Sequence, residues 1–118
     1  MLTDKEVARL LDVANAGVNK GQVQLARTVY DGILAGRPGH APTLISLALS
    51  HIAVGEFARA EEILKDEVLA VRPDDPDALV YLGLAAKLDD RPEEAAAVFA
   101  RVPEGTHARE LADRLLEA

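Results

Sequence analysis

Leu79-Val80-Tyr81-Leu82-Gly83-Leu84-Ala85-Ala86, with Ala95-Ala96-Ala97-Val98-Phe99 after a short break, decides the fold, because its landmarks recur twice upstream. Ala95 is preceded by Ala60 and Ala26, at spacings of 35 and 34 residues. Four residues after each alanine stands a bulky apolar side chain: Tyr30, Leu64 and Phe99. Pro38 and Pro73 lie 35 apart, and Gly21 and Gly55 lie 34 apart. A period of this length marks stacked supersecondary units, each too small to bury its apolar face alone.

Between the landmarks the chain is punctuated clearly. Breaks fall at Lys20-Gly21, Arg37-Pro38-Gly39, Val54-Gly55, Arg72-Pro73 and Glu104-Gly105. Thr3 with Glu6 has the spacing of a capping box. Asp75 before Pro76 pairs an N-cap residue with a proline at the first helical position. Asp90, ahead of Arg91-Pro92-Glu93-Glu94, reads as another helix start. These signals predict seven helices, over 4–19, 22–36, 41–53, 57–71, 76–88, 92–102 and 106–117. Connections are short, so successive helices are expected to pack antiparallel. The last carries Ala108, Leu111, Ala112, Leu115 and Leu116 as one apolar stripe, as suits a capping helix.

With 118 residues there is room for one domain. Apolar residues make up 49% of the chain and aromatics only 3%, so packing rests on Leu, Val, Ile and Ala. The net charge of −7 and the lack of a Lys/Arg cluster make nucleic acid a poor partner, since duplex binding needs cations to displace phosphate counterions. No window approaches the about 20 apolar residues of a membrane span. The N-terminus turns charged at Asp4, Lys5 and Glu6, unlike a secretory leader, and a cytoplasmic location follows as the expectation.

Catalytic and metal chemistry find little material. There is no Cys, which removes disulfides, thiolate ligands and a cysteine nucleophile together. His40, His51 and His107 include no pair at the i, i+4 spacing of a helical metal site. Glu61-Glu62, Asp74-Asp75, Asp89-Asp90 and Glu93-Glu94 fall at helix starts and in loops, where carboxylates cap and solvate. No phosphate-binding glycine loop and no nucleophile elbow is present. The expectation is a protein that is not an enzyme and holds no cofactor or metal.

The repeat resembles the tetratricopeptide repeat, whose pattern is W-x2-L-G-x2-Y in a first helix, A-x3-F in a second, then P. The third copy reads Leu79-x2-Leu82-Gly83-x2-Ala86, then Ala95-x3-Phe99. The second reads Leu44-x2-Leu47-Ala48-x2-His51, then Ala60-x3-Leu64 and Pro73. The first reads Leu10-x2-Val13-Ala14-x2-Gly17, then Ala26-x3-Tyr30 and Pro38. Leu replaces Trp in all three, His51 stands in place of Tyr, and the second copy has one extra residue between Ala60 and Pro73. The resemblance implies an all-α, right-handed α-solenoid in a single domain of residues 1–118. Repeats would cover about 7–40, 41–75 and 76–105, with a capping helix at 106–117.

In that family a concave groove is lined by first-helix positions 5, 9, 12 and 13 of each repeat. Carried over, these are Leu11, Asn15, Val18 and Asn19 in the first repeat, and Ile45, Leu49, Ile52 and Ala53 in the second. The third gives Val80, Leu84, Lys87 and Leu88. The resemblance thus implies a non-catalytic protein-binding module whose groove takes a partner's amphipathic helix or extended peptide. No cation stands at position 5, which argues against a clamp for a peptide carboxylate. Three states of the groove remain open: exposed to a partner, merely part of a compact three-repeat core, or closed by the last helix. In size and organisation the chain is similar to small bacterial chaperones of type III secretion, which hold apolar helical segments of exported subunits. An assembly adaptor or self-associating scaffold is the other reading, so homo- or hetero-oligomers both remain open.

Overall fold

A computed structural model describes residues 1–118 as seven helices and no strand. Helix α1 spans Asp4–Asn19, α2 Val23–Gly36 and α3 Ala41–Ala53. Helix α4 begins as Phe57–Glu62 and runs on, without leaving helical dihedrals, into a π-helical segment, Ile63–Leu69. Helix α5 spans Pro76–Leu88, α6 Pro92–Phe99 and α7 His107–Glu117. The pairs α1/α2, α3/α4 and α5/α6 pack on one another, and α7 lies against α5 and α6. The first helices α1, α3 and α5 are also neighbours, which makes an α-solenoid measuring 42 × 27 × 22 Å.

Helix starts follow the caps read from the sequence in most places. Glu6 N donates to Thr3 Oγ1 at 3.1 Å and Thr3 N donates to Glu6 Oε1 at 3.0 Å, closing the capping box. Ala78 N donates to Asp75 Oδ1 at 3.0 Å at the start of α5. The expected start at Asp90 is corrected. Arg91 precedes α6 without a side-chain cap, and Asp90 instead ends α5 with φ 61°. It occupies the left-handed position that Gly21 (φ 82°) and Gly55 (φ 81°) hold after α1 and α3. In all three turns the next N–H reaches back five residues: Gln22 to Gly17 O, Glu56 to His51 O, Arg91 to Ala86 O, at 2.8–2.9 Å. That is the Schellman geometry, and it lets each second helix fold back on its first.

The extra residue of the second repeat is what the π-helical segment absorbs. In α2 the buried positions are Ala26, Tyr30 and Ile33, and the third copy buries Ala95, Phe99 and Val102. Both follow the pattern 0, +4, +7. The second repeat buries Ala60, Ile63, Leu64, Val68 and Leu69, with Glu67 exposed at +7, so the core position expected at +7 comes at +8. A π turn takes up one residue without rotating the flanking side chains off the core. The expected helix 92–102 ends at Phe99, because Arg101 and Val102 donate three residues back rather than four, to Val98 O and Phe99 O.

Two apolar clusters form the core. One joins α3 to α7 and the other is confined to α1 and α2, with Leu47 packing against both. The junction between them also carries a polar web. Arg27 donates to Ser50 Oγ (3.2 Å) and Glu56 Oε1 (2.9 Å), and His51 Nδ1 lies 2.9 Å from the same Glu56 oxygen. His51, where the repeat pattern has an aromatic, thus ties the first repeat to the second through polar contacts.

Candidate functional site

Three first helices in register leave a concave face, and its open part is a cavity of about 390 Å³. Asn15 comes from α1, Pro42, Ile45, Ser46 and Leu49 from α3, and Asp77 and Tyr81 from α5. Arg72 and Asp75, in the turn before α5, complete the lining. A smaller recess of about 200 Å³ continues along α1 past Leu11, sharing Pro42.

Asn15 is held in place from beneath. Tyr30, fully buried, donates its hydroxyl to Asn15 Oδ1 at 2.5 Å. That bond fixes the amide plane and leaves the Nδ2 donors without a protein acceptor. Burial pushes the Tyr30 hydroxyl above its ordinary range, so it stays protonated and remains a donor. Tyr81 is half-buried, and burial with the nearby Asp77 carboxylate raises its hydroxyl in the same way.

The residues expected in the groove divide. Asn15, Ile45 and Leu49 line the main cavity and Leu11 the smaller recess. Ile45 and Leu11 are nonetheless largely buried by the fold itself, and so is Ile52. Val18 is half-buried against the α1/α2 core, and Leu84 against the larger one. Val80 is a correction. At 1% exposed it lies inside the cluster that also takes Ala108 and Ala112 of α7, so it offers no surface to a partner. Lys87 is a second correction, because its Nζ donates to Leu115 O at the end of α7. Leu88 is exposed beyond it. The last helix therefore packs on the side of α5 that carries Lys87, while Asp77 and Tyr81 of α5 line the open cavity with α1 and α3.

Position-by-position carry-over missed Arg72, Asp75, Asp77 and Tyr81. Asp77 and Tyr81 stand at positions 2 and 6 of the third repeat, one helical turn apart and on the face of position 9. Arg72 precedes Pro73 as Arg37 precedes Pro38. Arg37 pairs with Asp4 and donates to Leu2 O, whereas Arg72 lies 3.8 Å from Asp75 beside the cavity. A cation does stand at the groove, supplied by the turn between repeats rather than by position 5.

A family model described as tetratricopeptide repeat matches residues 45–108, more than half of the chain. The chain belongs to the tetratricopeptide repeat family. Tetratricopeptide repeats generally act as non-catalytic protein-interaction modules, and the concave face described above is built from their first helices. No curated protein sequence matches this tetratricopeptide repeat chain. No helix is long and apolar enough to cross a membrane.

Proposed function

We propose that this tetratricopeptide repeat chain binds an apolar segment of a partner protein on its concave face, in the cavity between α1, α3 and the start of α5. The observation that carries the reading is the open cavity on the concave face, where Leu49 and the edge of Ile45 lie among the polar side chains of Asn15, Ser46, Arg72, Asp75, Asp77 and Tyr81. A mixed lining with Leu49 for an apolar contact and one oriented amide suits a helix or extended peptide that seats a side chain and offers a backbone carbonyl. The groove residues retained for contact are Asn15, Ile45 and Leu49, with Tyr81, Asp77 and Arg72 added. The narrower role is a small bacterial chaperone that shields such a segment of a subunit bound for export by type III secretion. Its support is the chain's size and three-repeat organisation. An assembly adaptor built on the same groove is the neighbouring role.

The test is affinity capture from the native host with the wild-type chain and with Leu49→Gln, followed by mass spectrometry. A partner retained by the wild type and lost by the variant supports the groove. The same partner on both, with the variant still folded, overturns it. A chaperone role further requires that the partner alone aggregates and is kept in solution by co-expression.

A self-associating scaffold is favoured by a different feature, an apolar recess of about 370 Å³ beside Leu2, Val7 and Ile33. Gly32 and Gly36 border it with nothing near their missing side chains. Sedimentation of the purified chain separates the readings: a discrete homo-oligomer supports the scaffold, a monomer the groove module.

A further inference from the structure

We infer that the segment received in this groove carries a Lys or Arg next to its apolar anchors, seated on the Asp77 carboxylate and the Tyr81 ring. The inference rests on the groove reading above and names the chemistry of its partner. Asp77 and Tyr81 are four residues apart on α5, so they share one face, and both line the cavity. Their proximity is felt electrostatically, since the Asp77 charge contributes to raising the Tyr81 hydroxyl.

The charges of the cavity do not cancel. It holds one cation, Arg72, against two carboxylates, Asp75 and Asp77. Arg72 pairs with Asp75 at 3.8 Å, and Asp75 is fixed in place by capping Ala78 N. Asp77 enters none of the chain's ion pairs. An exposed carboxylate without an ion-pair partner, beside the half-buried Tyr81 ring and Leu49, is complementary to a long cationic side chain. The stem of Lys or Arg covers apolar surface while its head meets the carboxylate and the ring. An acidic segment meets the opposite situation, because the two carboxylates outnumber the single cation Arg72. The net charge of −7 adds long-range attraction for a basic partner.

The probe is a phage-displayed library of random peptides, selected on the wild-type chain and counter-selected on Leu49→Gln. Peptides that depend on Leu49 are expected to place Lys or Arg beside Leu, Ile or Phe. Asp77→Asn should weaken them a few-fold, as expected for losing an ion pair at an exposed carboxylate, and Asp77→Glu should restore much of the loss. Asp75, not Asp77, caps α5, so the fold is expected to tolerate both substitutions, and a thermal melt checks this. Leu49-dependent peptides that are neutral or acidic, or that bind Asp77→Asn as tightly as wild type, overturn the inference and leave the groove standing. If no Leu49-dependent peptide is recovered, the groove reading falls and the inference with it.

Discussion

The Phe99 ring occupies the space that a side chain on Gly83 would need: its Cδ1 lies 2.6 Å from where a Cβ would stand. Both residues are buried, and they fix how closely α5 and α6 approach. Glycine here is therefore a packing requirement rather than a turn. Gly83→Ala should destabilise the chain. Overpacking costs about 1–3 kcal/mol, more than the roughly 1 kcal/mol that alanine gains in helix propensity. Urea denaturation checks this, and Phe99→Leu in the same chain should recover part of the loss. Unchanged or raised stability in Gly83→Ala would contradict the close approach.

Asp90 sits at φ 61° where the two earlier turns use glycine. A side chain in the left-handed region costs about 1–2 kcal/mol per residue, less for Asp, which tolerates it best. Asp90→Gly should raise stability by up to about 1 kcal/mol, because the strain relieved exceeds the entropy added to the unfolded chain. A lower melting temperature would show that the Asp90 side chain contributes something the turn geometry does not reveal.

The π-helical segment predicts an unusual tolerance. Asp66 is exposed within Ile63–Leu69, and deleting it should return the segment to α-helix with Val68 still on the core. Deleting the exposed Thr28 from α2, which has no residue to spare, should rotate Tyr30 and Ile33 off the core. Circular dichroism melts of the two deletions decide it. The first should unfold cooperatively near the wild-type temperature and the second should not. Equal damage in both would mean that the π turn does not absorb the extra residue.

Acidification should destabilise the chain through two carboxylates. Glu56 is held below its ordinary value of 4.5 by the hydrogen bond from Arg27 and then by His51. Glu6 is lowered by the Thr3 backbone N–H of the capping box. In both, the folded state binds the proton less readily than the unfolded state. Their contribution is complete above about pH 4.5 and is lost as pH falls through the lowered folded values. Denaturant unfolding between pH 6 and pH 3 should show that loss, and Glu56→Gln should flatten part of it. An unchanged slope in Glu56→Gln would remove the Arg27–His51–Glu56 web as a source of stability.

Helix order was legible in the sequence because glycine and proline mark every turn and the alanine period sets the repeat. Asp90 misled for a local reason. Asp followed by Arg-Pro-Glu-Glu has the composition of a helix start, and only the five-residue back-bond from Arg91 shows that it ends a helix instead. In the groove, Asn15, Ile45 and Leu49 were legible from repeat position alone. Val80 was not, because it is buried in the core that runs from α3 to α7, a tertiary fact that period cannot carry. Arg72 escaped because it reaches the cavity from a turn, and Tyr81 because its position 6 was not among those carried over.

The most direct measurement is an amide shift map of the isotopically labelled chain, titrated with a segment recovered by the Leu49-dependent selection. Groove binding predicts the largest shifts at Asn15, Ile45, Leu49, Asp77 and Tyr81, with little change along α2, α4 and α6. Shifts concentrated on those second helices, or on the recess beside Leu2, Gly32 and Gly36, would place the binding surface elsewhere and contradict the concave face as the site.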